Sequence, residues 1–537
     1  MMTRPFAIPA LLTAALLSAC AYFACGALYA ERGEPNADEG FYAYASYAVM
    51  HGRVPYRDFA YTQTPLLPYI QGAVFSAVGY GVRQERWLNV AWGTLAVALA
   101  ALLWSSASVP TAWRVLLVLS WCLCKPLVFL STSGKTYGIV GLLMIGASAC
   151  VYLRQTPWAR APEGRLRPHL LLCALSALCV LSVGCRLTAA PSAVLLWAGF
   201  AVLDRGRISK ALLLAIPVLF SLVLIGPFYA LDPRNAVYWT WIYHHLNMVS
   251  ELSRPSRIGL LVESCRVAPA PAAFGLAGIA LVGRALFRAL RQGAGGAPPE
   301  NTAFQAGGWI LAAGAVGWVL PVLLSGVYAE YATPSMPVVL TGFGLLLSRT
   351  QAPLVSLGDG LRARMAVFLP IGAGALLVGY GLAYGYNWLA PGYLDAIDRT
   401  ARVVRSATRE TDTVLTSMPE IPLAAGRRLF PRLEMGKFGV TGEMDPVTSR
   451  ARHILPFREL RDAVASGSPE VVVLFVKNQY WDFGWSVPSF RMIPEESYRG
   501  FLRDLEGRYV RIDSNDYFVV FRARPRVLPA GPAGMPR

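Results

Sequence analysis

The sequence predicts a polytopic α-helical membrane protein with a small soluble α/β domain at its C-terminal end. Three observations predict it. Of 537 residues, 55% are hydrophobic and only 15% charged, with a mean hydropathy of +0.44, which is too apolar for an ordinary water-soluble enzyme. Apolar runs of about 20 residues, the length that a hydrocarbon core of roughly 30 Å requires, recur from the N-terminus to about residue 389. Beyond that point charges of both signs appear and the long apolar runs stop.

About eleven transmembrane spans are expected, near 8–30, 83–104, 114–130, 136–153, 169–187, 188–203, 211–231, 258–290, 304–324, 331–348 and 365–388. The first has features of a secretory signal, with Arg4 as a charged leader and Leu17-Ser-Ala-Cys20 as a lipobox-like site. Its apolar run continues to Tyr29, past the roughly 7–15 residues of a signal core, so an uncleaved span with the N-terminus inside is expected. Short cytoplasmic loops should be rich in Lys and Arg. In that orientation the inner loops carry Arg154, Arg160, Arg165 and Arg167, then Arg205, Arg207 and Lys210, then Arg284, Arg288 and Arg291, then Arg349, Arg362 and Arg364. Much of the net charge of +17 is thereby topology, and no nucleic-acid partner is implied. An odd number of spans puts everything after about residue 390 outside. The expected organisation is a membrane domain over 1–389, an extracytoplasmic α/β domain over 390–523, and a Pro/Gly/Arg-rich tail over 524–537 that reads as disordered.

Between the first two spans lies an outer loop of about 31–82. It opens with Glu31, Glu34, Asp38 and Glu39, four carboxylates just outside a membrane, where they are catalytic candidates. Phe41 to Met50 carries aromatics at helical spacing, and Leu66 to Val78 is apolar but too short to span, so both read as interfacial helices. Gly52, Pro55 and Pro65 break the chain between them. The nine cysteines (Cys20, Cys25, Cys122, Cys124, Cys150, Cys173, Cys179, Cys185 and Cys265) fall in or beside the spans, so disulfides do not hold the C-terminal domain together. Cys122-Leu-Cys124 is not a C-x-x-C pair and reads as helix packing.

The segment DEGFYAYASYAVMHGRVPYRDFAYTQTPLLPYIQG, from Asp38 to Gly72, resembles the first extracytoplasmic loop of bacterial GT-C glycosyltransferases related to protein O-mannosyltransferases and lipid A aminoarabinose transferases. In that family an acidic pair is followed by an aromatic, a G-x-x-P-Y-x-D-F segment and a proline before the next helix. Gly184-Cys-Arg-Leu-Thr188 resembles its glycine-led basic segment, and Tyr331-Ala-Thr-Pro-Ser-Met-Pro337 its Tyr-x-x-Pro-x-x-Pro helix start. The resemblance implies a GT-C fold and transfer of a sugar from a polyprenyl phosphate to an acceptor hydroxyl outside the membrane, with inversion. The chain departs from better-known members in having no clear acidic motif in a later outer loop; Glu251 and Glu330 are the later outer carboxylates to consider.

That chemistry sets tasks for particular residues. A carboxylate must take the proton of the attacking hydroxyl; Asp38 is the expected base, with Glu39 orienting it or binding acceptor hydroxyls, and the two roles are open to reversal. The leaving lipid phosphate needs fixed cations; Lys135, in a short outer turn, and Arg186, at the outer end of a span, are expected to bind it, since a charge at that depth is costly unless it has a task or a partner. Snorkelling to lipid headgroups is the plainer reading of both, and capping the helix from Glu39 is the plainer one of Asp38. Tyr331 is expected at the substrate through its motif. Arg57 and Asp58 are candidates for sugar or phosphate binding, or for a local ion pair. His244-His245 lack the spacing of a metal site, so no metal ligand is assigned; a divalent cation is the only cofactor left open. The aromatics Tyr238, Trp239, Trp241 and Tyr243 read as an interfacial belt or as a sugar or lipid platform.

In the C-terminal part, strand-like runs at 413–417, 471–476 and 517–521 alternate with helical stretches near 395–409, 457–466 and 497–505. The segment from Gly426 to Gly436 also resembles the stretch just after the membrane part in bacterial relatives. Acceptor binding, shielding of a cleft and a structural cap are the roles open to it. No Walker motif, G-x-G-x-x-G fingerprint or H-E-x-x-H occurs, which argues against a soluble nucleotide-sugar donor and a zinc protease. The rivals are a lipid or polysaccharide transporter or flippase, for which clear repeat symmetry is lacking, and a polysaccharide polymerase or ligase. The expected partners are a polyprenyl-phosphate sugar, a lipid, glycan or protein acceptor, and the bilayer, in a bacterial inner membrane.

Overall fold

The computed structural model of the protein describes residues 7–36, 38–161, 166–204, 206–244, 256–292, 302–325, 329–348, 389–442, 444–476, 493 and 495–525. The expected span at 365–388, together with Arg165, Arg205, His245, Glu251, Arg349, Arg362, Arg364 and the tail beyond 525, lies outside the described residues. The chain divides into two compact units, Met1–Arg57 with Tyr61–Pro391, and Asp58–Ala60 with Gly392–Arg537.

The first unit is helical. It runs α1 (Ala7–Arg32), α2 (Glu39–Met50), α3 (Leu66–Val78), α4 (Val82–Ser106), α5 (Thr111–Cys122), α6 (Lys125–Thr132), α7 (Tyr137–Leu153), the short α8 (Pro157–Arg160), α9 (Arg167–Cys185) and α10 (Ala190–Asp204). It continues with α11 (Lys210–Leu224), α12 (Gly226–Leu231), α13 (Pro233–Val237), a π-helical turn (Tyr238–Ile242), α14 (Arg257–Val267), α15 (Pro269–Gln292), α16 (Thr302–Ser325), a 3-10 turn (Ala329–Ser335) and α17 (Met336–Leu347).

Eleven uniform spans are not what the described residues contain. Five helices are long and apolar enough to cross a membrane, or up to seven if each of two bent pairs is one span. The expected span at 114–130 is α5 and α6 bent by 55°, where Pro126 lacks the N–H that would continue the ladder. The expected span at 258–290 is α14 and α15 meeting at 105°. Ala268 precedes Pro269 and leaves helical geometry at φ −130°, ψ 60°, as a residue before proline tends to. α7 and α11 are shorter apolar helices, and the span expected at 331–348 begins as the 3-10 turn.

Small residues let these helices approach. A Cβ on Gly314 would meet the backbone of Val339, and one on Gly342 the backbone of Leu311, so α16 and α17 touch main chain to main chain, as membrane helices commonly do at glycine. Elsewhere leucines face outward: Leu12, Leu16 and Leu17 on α1 and Leu214, Leu219 and Leu222 on α11 are 58–66% exposed, a surface that lipid tolerates and water does not. At the ends of α7 and α10, Arg154 turns inward rather than into a loop. It donates to Asp204 Oδ1 from Nε at 2.8 Å and Nη2 at 2.5 Å, while Asp204 Oδ2 accepts the N–H of Ile208 at 2.7 Å; both side chains are buried.

The second unit is built on a five-stranded sheet in the order β2-β1-β5-β7-β6. β1 (Thr413–Thr416) runs parallel to β2 (Arg428–Leu429) and to β5 (Val471–Phe475), and β7 (Phe518–Ala523) lies antiparallel to β5 and to β6 (Tyr509–Ser514). β5 is buried at all five positions, as the continuous apolar run of a central strand requires. Two further short strands, β3 (Val440–Thr441) and β4 (Leu455–Pro456), pair with each other. Helix α18 (Tyr393–Ala407) buries Tyr393, Ile397, Ala401 and Val404 along one stripe; the short α19 (Glu420–Ala425) and α20 (Pro446–Ala451) come next, and α21 (Phe457–Ser466), with Phe457, Leu460 and Val464 buried, packs beside α22 (Glu495–Arg508). β6 lies outside the runs expected from sequence; only Tyr509 of its residues is buried, and its alternating apolar residues, Val510 and Ile512, are exposed.

Candidate active site

At one end of the first unit α1, α6, α9 and α16 finish while α2, α4, α7, α10 and α17 begin, and the unusual polar residues collect there. Lys135 sits in the turn between α6 and α7. Its ammonium lies 3.1 Å from Asp38 Oδ2, before α2, and 2.8 Å from Glu330 Oε1, in the 3-10 turn before α17. Lys135 is only 4% exposed, so an uncompensated charge would be costly there. Burial works against the ammonium, but the carboxylates of Asp38 and Glu330 outweigh it and hold its pKa above the ordinary lysine value. Asp38 stands at the N-cap position of α2 yet makes no capping bond with its side chain, and about a quarter of that side chain is exposed.

The same cluster extends to Arg186. Tyr137 donates its hydroxyl to Glu330 Oε1 at 3.2 Å and accepts from Arg186 Nη2 at 2.9 Å. Arg186 also donates from Nη1 to Thr136 Oγ1 and from Nε to Thr188 Oγ1, both at 3.0 Å, and its guanidinium lies 4.3 Å from the ring centre of Tyr137 and 5.1 Å from that of Tyr331. It is 4% exposed, and no carboxylate is ion-paired with it among the described residues. Burial pushes the Tyr331 hydroxyl up to about 12, so it stays protonated across the physiological range. The backbone at Arg186 is extended (φ −156°, ψ 117°) where α9 gives way to a 3-10 turn. A Cβ at Gly184 would meet the side chain of Leu66, which is why a glycine leads this segment.

Asp38, Lys135, Arg186 and Tyr331, chosen from sequence, therefore come together. Glu39 has other surroundings: it is fully buried, both its oxygens accept from Arg86 at 2.9 and 2.8 Å, and Oε1 also accepts the N–H of Gly134 at 3.1 Å. Arg57 is exposed and Asp58 half-buried in the loop after α2, and neither contributes to the interactions just described. His244 bonds the carbonyl of Thr62 at 2.7 Å. In the π-helical turn Trp239 is buried and Trp241 is 58% exposed.

Sequence reasoning did not single out Thr136, Tyr137 or Thr188, which are ordinary residues until folded against Arg186, or Arg86. Arg86 had a signal: Glu85-Arg86 is a charged pair at the edge of an apolar span, the kind of position where charge implies a task. Glu330 is one of the later outer carboxylates that the sequence offers, but its link to Lys135 crosses 195 residues and no motif predicts it. Among the described residues no group of three or more His, Cys, Asp or Glu side chains is arranged to hold a metal ion.

No family model matches the sequence, and no curated protein matches it at the level of sequence. Solved structures do match. The crystal structure of ArnT from Cupriavidus metallidurans bound to undecaprenyl phosphate superposes with a TM-score of 0.60 at 16% identity, covering 98% of this chain and 99% of that one. The apo state of the same protein gives 0.57 at 14%, covering 96% and 97%. The archaeal oligosaccharyltransferase AglB from Archaeoglobus fulgidus, in complex with an inhibitory peptide and a dolichol-phosphate, gives 0.47 at 12%, covering 98% and 76%. At such identities a likeness speaks to architecture alone, and the architecture of this chain is similar to that of ArnT, in keeping with the GT-C fold that the first-loop segment implies.

Proposed function

We propose that the protein is a membrane glycosyltransferase that moves a sugar from a polyprenyl-phosphate donor to an acceptor hydroxyl on the extracytoplasmic side, with inversion. The observation that carries the reading is Arg186. A buried guanidinium has five N–H donors; here three go to neutral hydroxyls, and no carboxylate among the described residues pairs with the charge. A phosphate suits that deficit in charge and in fork geometry. The likeness to ArnT, solved with undecaprenyl phosphate bound, supports a polyprenyl phosphate as the carrier here.

In this reading the acceptor oxygen bonds to the anomeric carbon from the face opposite the phosphate, as the bond from that carbon to the phosphate oxygen breaks. Asp38 takes the acceptor proton. Its partial exposure leaves it reachable, and its carboxylate, paired with Lys135 through Oδ2, is not spent on capping α2. Lys135 and Arg186 balance the charge that grows on the lipid phosphate, Tyr331 keeps its proton and adds a neutral donor, and Glu330 holds Lys135 and Tyr137 in place. Glu39 serves the fold of the site rather than the reaction. Arg57 and Asp58 are left with a secondary part in sugar binding. The acceptor is a lipid, glycan or protein hydroxyl, and the setting is a bacterial inner membrane with the N-terminus cytoplasmic and residues 390–523 outside. A divalent cation is the one cofactor to test.

Purified full-length protein in nanodiscs, supplied with a panel of radiolabelled polyprenyl-phosphate sugars with and without EDTA, tests this. Transfer is expected with at least one donor, falling by about 10²–10⁴-fold in Asp38→Asn as loss of a general base does. Full activity in that variant, or no turnover with any donor, would overturn the reading; loss with EDTA alone would add a metal to it.

A further inference from the structure

The five N–H donors of Arg86 are all engaged. Nε donates to Glu39 Oε1 at 2.9 Å, Nη1 to the carbonyls of Ala30 at 3.2 Å and Gly33 at 3.1 Å, and Nη2 to the carbonyl of Glu34 at 3.1 Å and to Glu39 Oε2 at 2.8 Å. These acceptors bracket Asp38 in the chain, three on its N-terminal side and one directly after it. Glu39 then reaches the other half of the site, since its Oε1 accepts the N–H of Gly134 at 3.1 Å, the residue before Lys135.

The preceding residue closes the same joint from another side. Glu85, fully buried, places its carboxylate in the space that a Cβ on Gly134 would need. Gln71 Nε2 holds Glu85 Oε1 at 3.1 Å, and Ser46 holds Gln71 Oε1 at 2.7 Å. Two successive residues in the first turns of α4 thus join the loop that carries Asp38 to the turn that carries Lys135.

We propose that Arg86 is a positioning residue of the transfer centre: acting through Glu39, it sets the separation between Asp38 and Lys135. The inference rests on the reading of Asp38 as the base. Lysine cannot replace Arg86 in this role, because it offers three donors from a single point and no planar fork to span a carboxylate and three carbonyls.

Arg86→Lys in the full-length protein keeps the charge and removes the fork. A displacement of about 1 Å in a reacting constellation costs about 10²-fold, so kcat is expected to fall about 100-fold, while KM for the polyprenyl-phosphate sugar changes little, the pattern of an interaction that matters in the transition state. A second measurement needs no turnover. Acylation of Lys135 by a water-soluble N-hydroxysuccinimide ester, followed by mass spectrometry with Lys210 as internal reference, should rise severalfold in Arg86→Lys as Lys135 leaves its carboxylates. Wild-type kcat and wild-type labelling in the folded variant would overturn the proposal. So would an activity loss that merely follows the folded fraction measured by thermal unfolding, since Arg86 would then be structural only. Glu39→Gln, which keeps the side-chain shape, carries the same readouts if Arg86→Lys does not fold. Wild-type protein that turns over no donor defeats the transferase reading, while the labelling still decides whether Arg86 positions Lys135.

Discussion

Lys135 shares one ammonium between two carboxylates that lie far apart in the sequence of the membrane unit, Asp38 at 3.1 Å and Glu330 at 2.8 Å. Removing it leaves two negative groups facing each other, so Lys135→Met is expected to lower transfer by about 10²–10³-fold, the scale of losing one electrostatic stabiliser, in the same turnover assay. Its pH behaviour comes from the raised pKa. The stabilisation is fully present below the unfolded lysine value of about 10.4 and is lost only as pH rises through the higher folded value. The difference in unfolding temperature between wild type and Lys135→Met should therefore be flat from about pH 7 to pH 9; a difference that shrinks over that window would mean that burial outweighs the carboxylates. Asp38, Lys135 and Arg186 were legible because charge is conspicuous in an apolar sequence. The engagement of Glu39 was not, since its partner Arg86 stands 47 residues away and the acidic pair offers no sign of which member faces inward.

Helix ends do the assembling, and their bends have local causes. Pro126 and Pro269 interrupt hydrogen-bond ladders where hydropathy alone continues, which is why apolar runs of suitable length read as single spans and fold as bent pairs. At the end of the bundle away from the site, Arg154 and Asp204 form a buried pair that fixes α7 against α10. Arg154→Ala should cost about 3–5 kcal/mol because it orphans the aspartate. Thermal unfolding of the full chain in detergent measures this, and a cost below about 1 kcal/mol would mean that water reaches Asp204 and the pair behaves as a surface one. Loop basic residues counted for topology can thus be interior residues, a distinction that a count of Lys and Arg does not make.

The molecule joins a unit organised by lipid-facing helices to one organised by a sheet core, and the second unit carries no cysteine. Its stability rests on burial, so Leu460→Ala, at a site 0% exposed, should cost about 2–5 kcal/mol, while a reductant should leave the unit's unfolding unchanged; a reductant-dependent transition there would contradict this. By itself the sequence determined the membrane class, the positions of most helices, the break in character near residue 390 and the identity of the conspicuous charges, since hydropathy, helix length and proline act within a few turns of chain. Only the tertiary structure decided which charges meet. Glu330 joins Lys135 and Tyr137 across 195 and 193 residues, Glu39 is drawn into the fold by Arg86, and Arg186 is left with neutral partners. Those outcomes depend on which helix ends pack together, and no local pattern encodes that.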